Sequence, residues 1–323
     1  MAVHTGFLSL TIMIIFVFAT KLLLLLFRIV CYYYRVAIML KEGEKNRLKE
    51  PYNKTVVINE IKKQFSIYTK LDNSFDYYGW ENIEIYIAEN LVDAWLEARP
   101  YDLEKFNDSE FKELVSSASG KWLEKTCPTD KYKILLKASD QIIELVSCFA
   151  HETRHCLDYQ TAVKNLKFNE YRPGDIYYND WSEFRAVMAG LRCKFFLNFS
   201  LKKNSSEQIK DYLYMQYGLW SADCVDALIN SELLKDGHDI LYYLSRFSGA
   251  SRALRNIAYE NGIHSFSLQL WQLMPAHISE DYGHALFYLA NLWEDTNECA
   301  LLNNNIPREF NELLQRVNNK LRE

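Results

Sequence analysis

The sequence predicts a helix-rich α+β protein with a small sheet, preceded by one transmembrane helix and followed by a helical C-terminal region. Only 11 of the 323 residues are glycine and 6 are proline, which favours long helices joined by simple connections. Two short runs have the residue pattern that is typical of strands. Hydrophobic residues make up 49% of the chain and charged residues 24%, a composition typical of folded proteins rather than disordered ones.

The segment from Phe7 to Val30 is almost wholly apolar and is interrupted only by Lys21 and Arg28. A membrane-spanning helix needs about 20 such residues, so residues 7–30 are predicted to form a single anchor. A buried core helix is the alternative, but this length favours a span. Basic residues follow the apolar run, and the positive-inside rule therefore predicts that the N-terminus lies outside and the C-terminal domain lies in the cytoplasm.

The rest of the chain is predicted to divide into three parts. Residues 31–55 form a juxtamembrane linker, residues 56–204 a folded domain that holds the site, and residues 205–323 a region of amphipathic helices. The net charge of −5 gives no basic surface for nucleic acid, so none is predicted as a partner. The seven cysteines show no CxxC pair, which favours free thiols in a reducing compartment. Nothing in the pattern specifies an oligomeric state.

Local patterns predict where the helices and strands of the folded domain lie. Strands are predicted at residues 83–87 and 131–136. Helices are predicted at residues 90–98, 140–159 and 181–199, with shorter ones between 101 and 125. The last two long helices follow capping residues, Ser139 or Asp140 for the first and Asn179 or Asp180 for the second. The C-terminal helices are predicted to break at Asp236-Gly237, Asn261-Gly262 and Pro275.

The helix predicted at residues 140–159 carries the HExxH sequence His151-Glu152-Thr153-Arg154-His155. Residues four apart lie on one face of a helix, so both imidazoles can reach one ion at about 2.0–2.1 Å. The glutamate between them can hold and deprotonate a water bound to that ion. Zinc lowers the pKa of such a water to about 7, so a hydroxide nucleophile is available at neutral pH. The motif therefore predicts a Zn²⁺ site with His151 and His155 as ligands and Glu152 as general base.

The two histidines are predicted to lie away from the apolar stripe of their helix. One face of the helix collects Ile142, Leu145, Val146, Phe149, Cys156 and Leu157. The opposite face collects Glu144, Cys148, His151, His155 and Asp158. The imidazoles are therefore expected to face a separate surface or cleft rather than the core.

A catalytic zinc site needs a third protein ligand and an open fourth position. Glu183, in the next long helix, is the best candidate for that third ligand. Competing candidates are Asp158, Asp175 and Asp180. Ala186 and Gly190 follow Glu183 at helical spacing, and their small size is expected to let that helix approach the histidine-bearing helix closely.

This arrangement resembles the gluzincin class of zinc metallopeptidases, in which a downstream helix supplies a glutamate ligand in an E-x-x-A motif. Here that motif is Glu183-Phe184-Arg185-Ala186, and the resemblance covers residues 130–200. It implies a zincin-like catalytic core in which His151, His155 and Glu183 bind zinc and Glu152 acts as the base. The charge of Arg154 departs from the pattern of many metallopeptidases. The metzincin continuation is missing as well, since position 158 is Asp rather than Gly.

The resemblance implies a membrane-anchored zinc metallopeptidase that hydrolyses peptide bonds in a protein or peptide substrate. Candidate donors to the developing oxyanion lie between the two site helices, at Tyr171, Arg172, Tyr177 and Tyr178. Asp158 is a candidate partner to a histidine ligand or a charge on the helix face. The strand at residues 131–136 is a candidate for binding substrate as an added strand.

Two other functions fit the same sequence. One is a catalytically inactive, membrane-tethered interaction module in which zinc is structural or absent. The other is a zincin-type toxin or defence effector, which shares the chemistry and differs in its biological use. In the C-terminal helices, Arg246, Arg252 and Arg255 predict a solvated helix face, with contact to anionic lipid headgroups as the alternative.

Overall fold

The computed structural model describes residues 53–71, 79–127, 129–165, 176–199, 204–229, 237–264 and 276–295, with a few single positions beyond these ranges. All of them belong to one compact unit, Lys49–Glu323. The predicted anchor at residues 7–30 lies outside the described residues, as does the predicted linker up to residue 52. Among the residues that the structure describes, no helix is both long enough and apolar enough to cross a membrane.

Helices make up most of the described chain, and three short strands form its sheet. In chain order the elements are α1 (Lys54–Leu71), β1 (Glu84–Ala88), α2 (Leu91–Ala98), α3 (Ser109–Ser117), β2 (Gly120–Leu123), β3 (Lys133–Lys137), α4 (Ile142–Asn165), α5 (Ile176–Phe199), α6 (Ser206–Ile229), α7 (Gly237–Glu260) and α8 (Ala276–Asp295). Short 3-10 helices at Trp80–Asn82 and Pro100–Asn107 precede β1 and α3. The predicted helix-rich α+β fold with a small sheet is confirmed.

Side-chain caps explain where the two short helices begin. The side chain of Asn90 accepts a hydrogen bond from the backbone N–H of Asp93 at the start of α2. The carboxylate of Asp108 accepts hydrogen bonds from the backbone N–H groups of Glu110 and Phe111 at the start of α3. These bonds satisfy donors that the first turn of a helix leaves without partners.

Three of the predicted elements differ from the structure, and one of them is α4, which ends at Asn165 rather than near residue 159. Residues 101–125 were predicted as short helices, but they also contain β2, a strand too short to show a pattern and held by its distant partner β3. Helix α5 begins at Ile176 rather than near residue 181, so Asn179 and Asp180 lie within it rather than before its first turn. The three predicted breaks in the C-terminal helices agree with the observed ends of α7 and the start of α8.

Strand β3 is the centre of the sheet, parallel to β1 on one side and antiparallel to β2 on the other. Its residues Ile134, Leu135 and Leu136 are fully buried. Successive side chains of a strand point to opposite faces, so both faces of the sheet are covered. Leu135 belongs to the apolar cluster of α2 and α3, while α4 packs on the sheet as well. Because β3 is paired on both sides, the prediction that residues 131–136 bind a substrate strand is wrong.

Helix α5 lies between α4 and α7, and two glycines set how closely these helices approach. A Cβ atom at Gly190 would lie 3.4 Å from the Cβ of His151, which confirms the predicted close approach of α5 to α4. A Cβ atom at Gly249 would lie only 2.4 Å from the carbonyl oxygen of Phe184. Gly249 therefore lets α7 pack directly against the residue that follows Glu183.

Replacing Gly249 with alanine is expected to lower the free energy of unfolding by about 1–3 kcal/mol, because the new methyl group meets rigid backbone. Gly218 in α6 is the matched control, since nothing lies within 4 Å of the Cβ it would gain. There the same substitution is expected to be neutral or to stabilise by up to about 1 kcal/mol through helix propensity. Urea unfolding of both variants measures the difference. Equal stability of the two would contradict the close contact between α5 and α7.

Candidate metal centre

The structure brings together the three residues that the sequence proposes as metal ligands. His151 and His155 lie one turn apart on α4, and Glu183 faces them from the second turn of α5. The Nε2 atom of His155 lies 3.1 Å from the Nε2 atom of His151. The Oε2 atom of Glu183 lies 3.1 Å from the Nε2 atom of His155 and 3.7 Å from that of His151. Among the described residues, His151, His155 and Glu183 form a group that could hold a metal ion.

These distances suit a small divalent cation. Ligand bonds of about 2.0–2.1 Å in a tetrahedral site place neighbouring donor atoms roughly 3.3 Å apart. The observed separations of 3.1–3.7 Å bracket that value. A point roughly 1.9–2.1 Å from all three donors therefore exists. Two imidazole nitrogens and one carboxylate oxygen are also the donor set of a catalytic zinc site, which keeps a fourth position open.

The site is shielded from solvent but not sealed. The side chain of His151 is 23% exposed and that of His155 is 15% exposed, whereas Glu183 is 9% exposed. Helix α5 packs along α4, and its Glu183 side chain faces both imidazoles. Of the three side chains, that of His151 is the most exposed to solvent.

The ring of His155 is oriented by a residue that the sequence did not single out. Its Nδ1 atom lies 2.8 Å from the hydroxyl oxygen of buried Ser182, so its Nε2 atom is directed at His151 and Glu183. Such a partner fixes the tautomer and orientation of a histidine ligand. Ser182 precedes Glu183, so one turn of α5 supplies both a donor atom and the support for another.

Asp158 was predicted to be a partner to a histidine ligand or a charge on the helix face, and the structure places it in ion pairs with two arginines. Its carboxylate is fully buried and pairs with Arg154 at 2.6 Å and with Arg185 at 3.4 Å. At the Nδ1 atom of His155 it is Ser182, not Asp158, that provides the partner. Asp158 also lies outside the three-residue group. The ion pair explains why the unusual charge of Arg154 is tolerated inside the motif, since Asp158 neutralises it one turn further along α4.

Burial and neighbouring charges shift the pKa values of Glu183 and His151 in opposite directions. Burial disfavours the charged form of Glu183, but the neighbouring His151 and His155 outweigh it and hold the pKa of Glu183 well below its usual range. Burial likewise lowers the pKa of His151, but the carboxylate of Glu183 more than compensates and raises it. The pair therefore favours an anionic Glu183, the form that binds a cation, and a protonated His151, which must lose its proton before it can bind one.

Glu152 lies beside the three donors and is held by the edge of the sheet. Its Oε1 atom is 4.0 Å from the Nε2 atom of His151, and its Oε2 atom accepts the backbone N–H of Trp122 at 2.9 Å. Gly120 makes this approach possible, because a Cβ atom there would lie 3.0 Å from the Cγ atom of Glu152 and 2.5 Å from the sulfur of Cys148. Strand β2 therefore fixes one oxygen of Glu152 and leaves the other directed at the metal group.

Helix α7 contributes Arg246, which contradicts the prediction that this residue belongs to a solvated or lipid-facing surface. Its Nε atom lies 3.7 Å from the Oε1 atom of Glu183, and its Nη2 atom lies 3.9 Å from Asp223. Its guanidinium also packs over the rings of Trp220 and Tyr242, at 5.3 and 5.5 Å from their centroids. No local signal in α7 indicates this role, since it depends on where α7 packs.

The remaining predicted site residues lie outside what the structure describes. This applies to Tyr171, Arg172 and Asp175, and to the side chains of Tyr177, Tyr178 and Asp180 in the first turns of α5. The proposed roles of the tyrosines and Arg172 as oxyanion donors stay predictions, as do those of Asp175 and Asp180 as competing ligands.

No known protein family matches the sequence, and comparison with curated proteins and with solved structures finds no similar chain. The resemblance to gluzincins therefore depends on the motif residues and on the geometry of their side chains.

Proposed function

We propose that this chain is a zinc-dependent metallopeptidase. The observation that carries the proposal is the convergence of His151 Nε2, His155 Nε2 and Glu183 Oε2 at distances that suit one cation, with the carboxylate of Glu152 beside them. In this proposal the predicted span at residues 7–30 anchors the enzyme in a membrane, and the catalytic domain faces the cytoplasm.

The residues of the site have separate tasks in peptide hydrolysis. A bound zinc ion supplies Lewis acidity, which polarises the scissile carbonyl and acidifies water. His151, His155 and Glu183 hold that ion, and Ser182 keeps the ring of His155 in place. Glu152 takes a proton from the attacking water through Oε1 and returns it to the leaving amine. The N–H of Trp122 keeps the other oxygen of Glu152 engaged, so the base holds one orientation during the reaction.

The outer edge of β2 supports an extended peptide as the substrate. Strand β3 covers one edge of β2, and the carbonyl of Ser119 accepts the N–H of Lys137 on that side. Hydrogen-bonding groups of a strand alternate between its two edges, so the N–H of Trp122 points away from β3 and reaches Glu152. Because the N–H of Trp122 stays bonded to Glu152, an extended peptide would pair with the other outward-facing groups of β2, and its carbonyl groups would pass the base.

Proteolysis by the purified full chain tests the proposal. We expect a denatured protein substrate to be cleaved at peptide bonds, with loss of cleavage after chelation and recovery when one equivalent of zinc is added back. Mass spectrometry of the fragments identifies the bonds that are broken. Cleavage that survives complete removal of metal would contradict a zinc mechanism. Stoichiometric zinc without cleavage of any substrate would favour the interaction module, in which the ion is structural.

A further inference from the structure

The two carboxylate oxygens of Glu183 face different partners. Oε2 lies against the two histidine nitrogens, at 3.1 and 3.7 Å. Oε1 lies 3.7 Å from the Nε atom of Arg246 on α7. The carboxylate of Glu183 therefore lies between the two histidines of α4 and the guanidinium of Arg246 on α7.

The guanidinium of Arg246 is packed among side chains of α6 and α7. Asp223 lies 3.9 Å from Nη2, and the aromatic rings of Trp220 and Tyr242 pack against the planar group. The Nε atom is buried and makes no hydrogen bond to any residue that the structure describes. Buried donors of this kind are almost always paired in folded proteins. A movement of roughly 0.5–1 Å would turn the 3.7 Å contact with Glu183 into a hydrogen bond.

We propose that Arg246 is a positioning residue that engages Oε1 of Glu183, so that only Oε2 is presented to the metal ion. A carboxylate held in this way would bind the ion with one oxygen and would leave room for water at the open position. A carboxylate freed from Arg246 can rotate and bind with both oxygens, or can turn out of the site. This inference depends on the proposed metal centre, but it does not depend on the reaction that the centre catalyses.

Arg246 could instead act only as a link between α5 and α7. A link of that kind affects the stability of the fold and leaves the coordination of the ion unchanged. A positioning role changes the coordination itself, and cobalt(II) reports coordination directly because its visible absorption weakens when four ligands become five or six. The two roles are therefore separable with the metal alone as the probe.

The experiment compares the full chain with Arg246→Met and Arg246→Lys. Loss of a group that orients a metal ligand lowers metal affinity by about 10–100-fold, and we expect a loss of that size for Arg246→Met in zinc competition with a chelator. The cobalt(II) spectrum of Arg246→Met is expected to lose intensity. Arg246→Lys keeps a positive charge beside Glu183, and its affinity is expected to lie between those of the parent and Arg246→Met.

Arg255→Met is the matched control. Arg255 is exposed and lies nine residues further along α7, about 13 Å away and on the opposite side of the helix. Its zinc affinity is expected to match that of the parent.

Unchanged zinc affinity and an unchanged cobalt(II) spectrum in Arg246→Met would overturn the positioning role and leave the zinc peptidase proposal intact. A parent chain that binds no zinc would overturn both. If Arg246→Met does not fold, Arg246→Lys decides the question: an affinity and a cobalt(II) spectrum equal to those of the parent would overturn positioning by the guanidinium, and a weaker affinity with a changed spectrum would support it.

Discussion

Replacing Glu152 with glutamine is expected to lower kcat for peptide cleavage by about 10²–10⁴-fold, the contribution typical of a positioned general base. Glutamine has nearly the same shape, and its side-chain oxygen can still accept the N–H of Trp122, so the substitution removes proton transfer and little else. One zinc per chain is expected to remain, because Glu152 is not among the three donors. Cleavage rates and elemental analysis of the same preparation measure the two quantities together.

Glu144→Gln provides the control for this experiment. Glu144 lies on the same helix two turns earlier, where it pairs with Lys194 at the surface and is 43% exposed. Its replacement is expected to leave both turnover and zinc content unchanged. If a biological readout of the protein survives Glu152→Gln in full, hydrolysis is not its function, and the interaction module becomes the better account.

Replacing Glu183, the third donor, with alanine is expected to remove most of the affinity for zinc. In Glu183→Ala only two imidazoles face the ion, and the charge that offsets the cation is gone. We expect a loss of zinc affinity larger than the roughly 10–100-fold that follows from losing an outer partner of a ligand. After dialysis the variant should hold close to no zinc and should cleave no peptide. Full zinc occupancy in Glu183→Ala would show that another residue, such as Asp175 or Asp180, is the third ligand.

Much of the fold could be predicted because its signals are local. The apolar stripe of α4, the alternation in β1 and the glycine and proline breaks in the C-terminal helices each depend on neighbouring residues. Strand β2 was missed because its four residues are stabilised by pairing with β3, which no local pattern reveals. The start of α5 was placed too late because Asn179 and Asp180 favour caps in isolation, but here they continue a helix.

The candidate site divides in the same way. His151, Glu152 and His155 follow from one helical spacing, and Glu183 follows from the small residues after it in α5. The groups that orient these residues come from elsewhere in the chain. Ser182 supports His155, the backbone of Trp122 holds Glu152, and Arg246 reaches Glu183 from α7. None of the three has a sequence signature, because each depends on how distant elements pack together.

A crystal structure of the zinc-loaded chain, with anomalous data collected at the zinc absorption edge, tests the central claim most directly. We predict one anomalous peak about 2.0–2.1 Å from His151 Nε2, His155 Nε2 and Glu183 Oε2. A water molecule should occupy the fourth position, within reach of Glu152. A peak bound by other residues, or no peak between these three side chains at full zinc loading, would contradict the account.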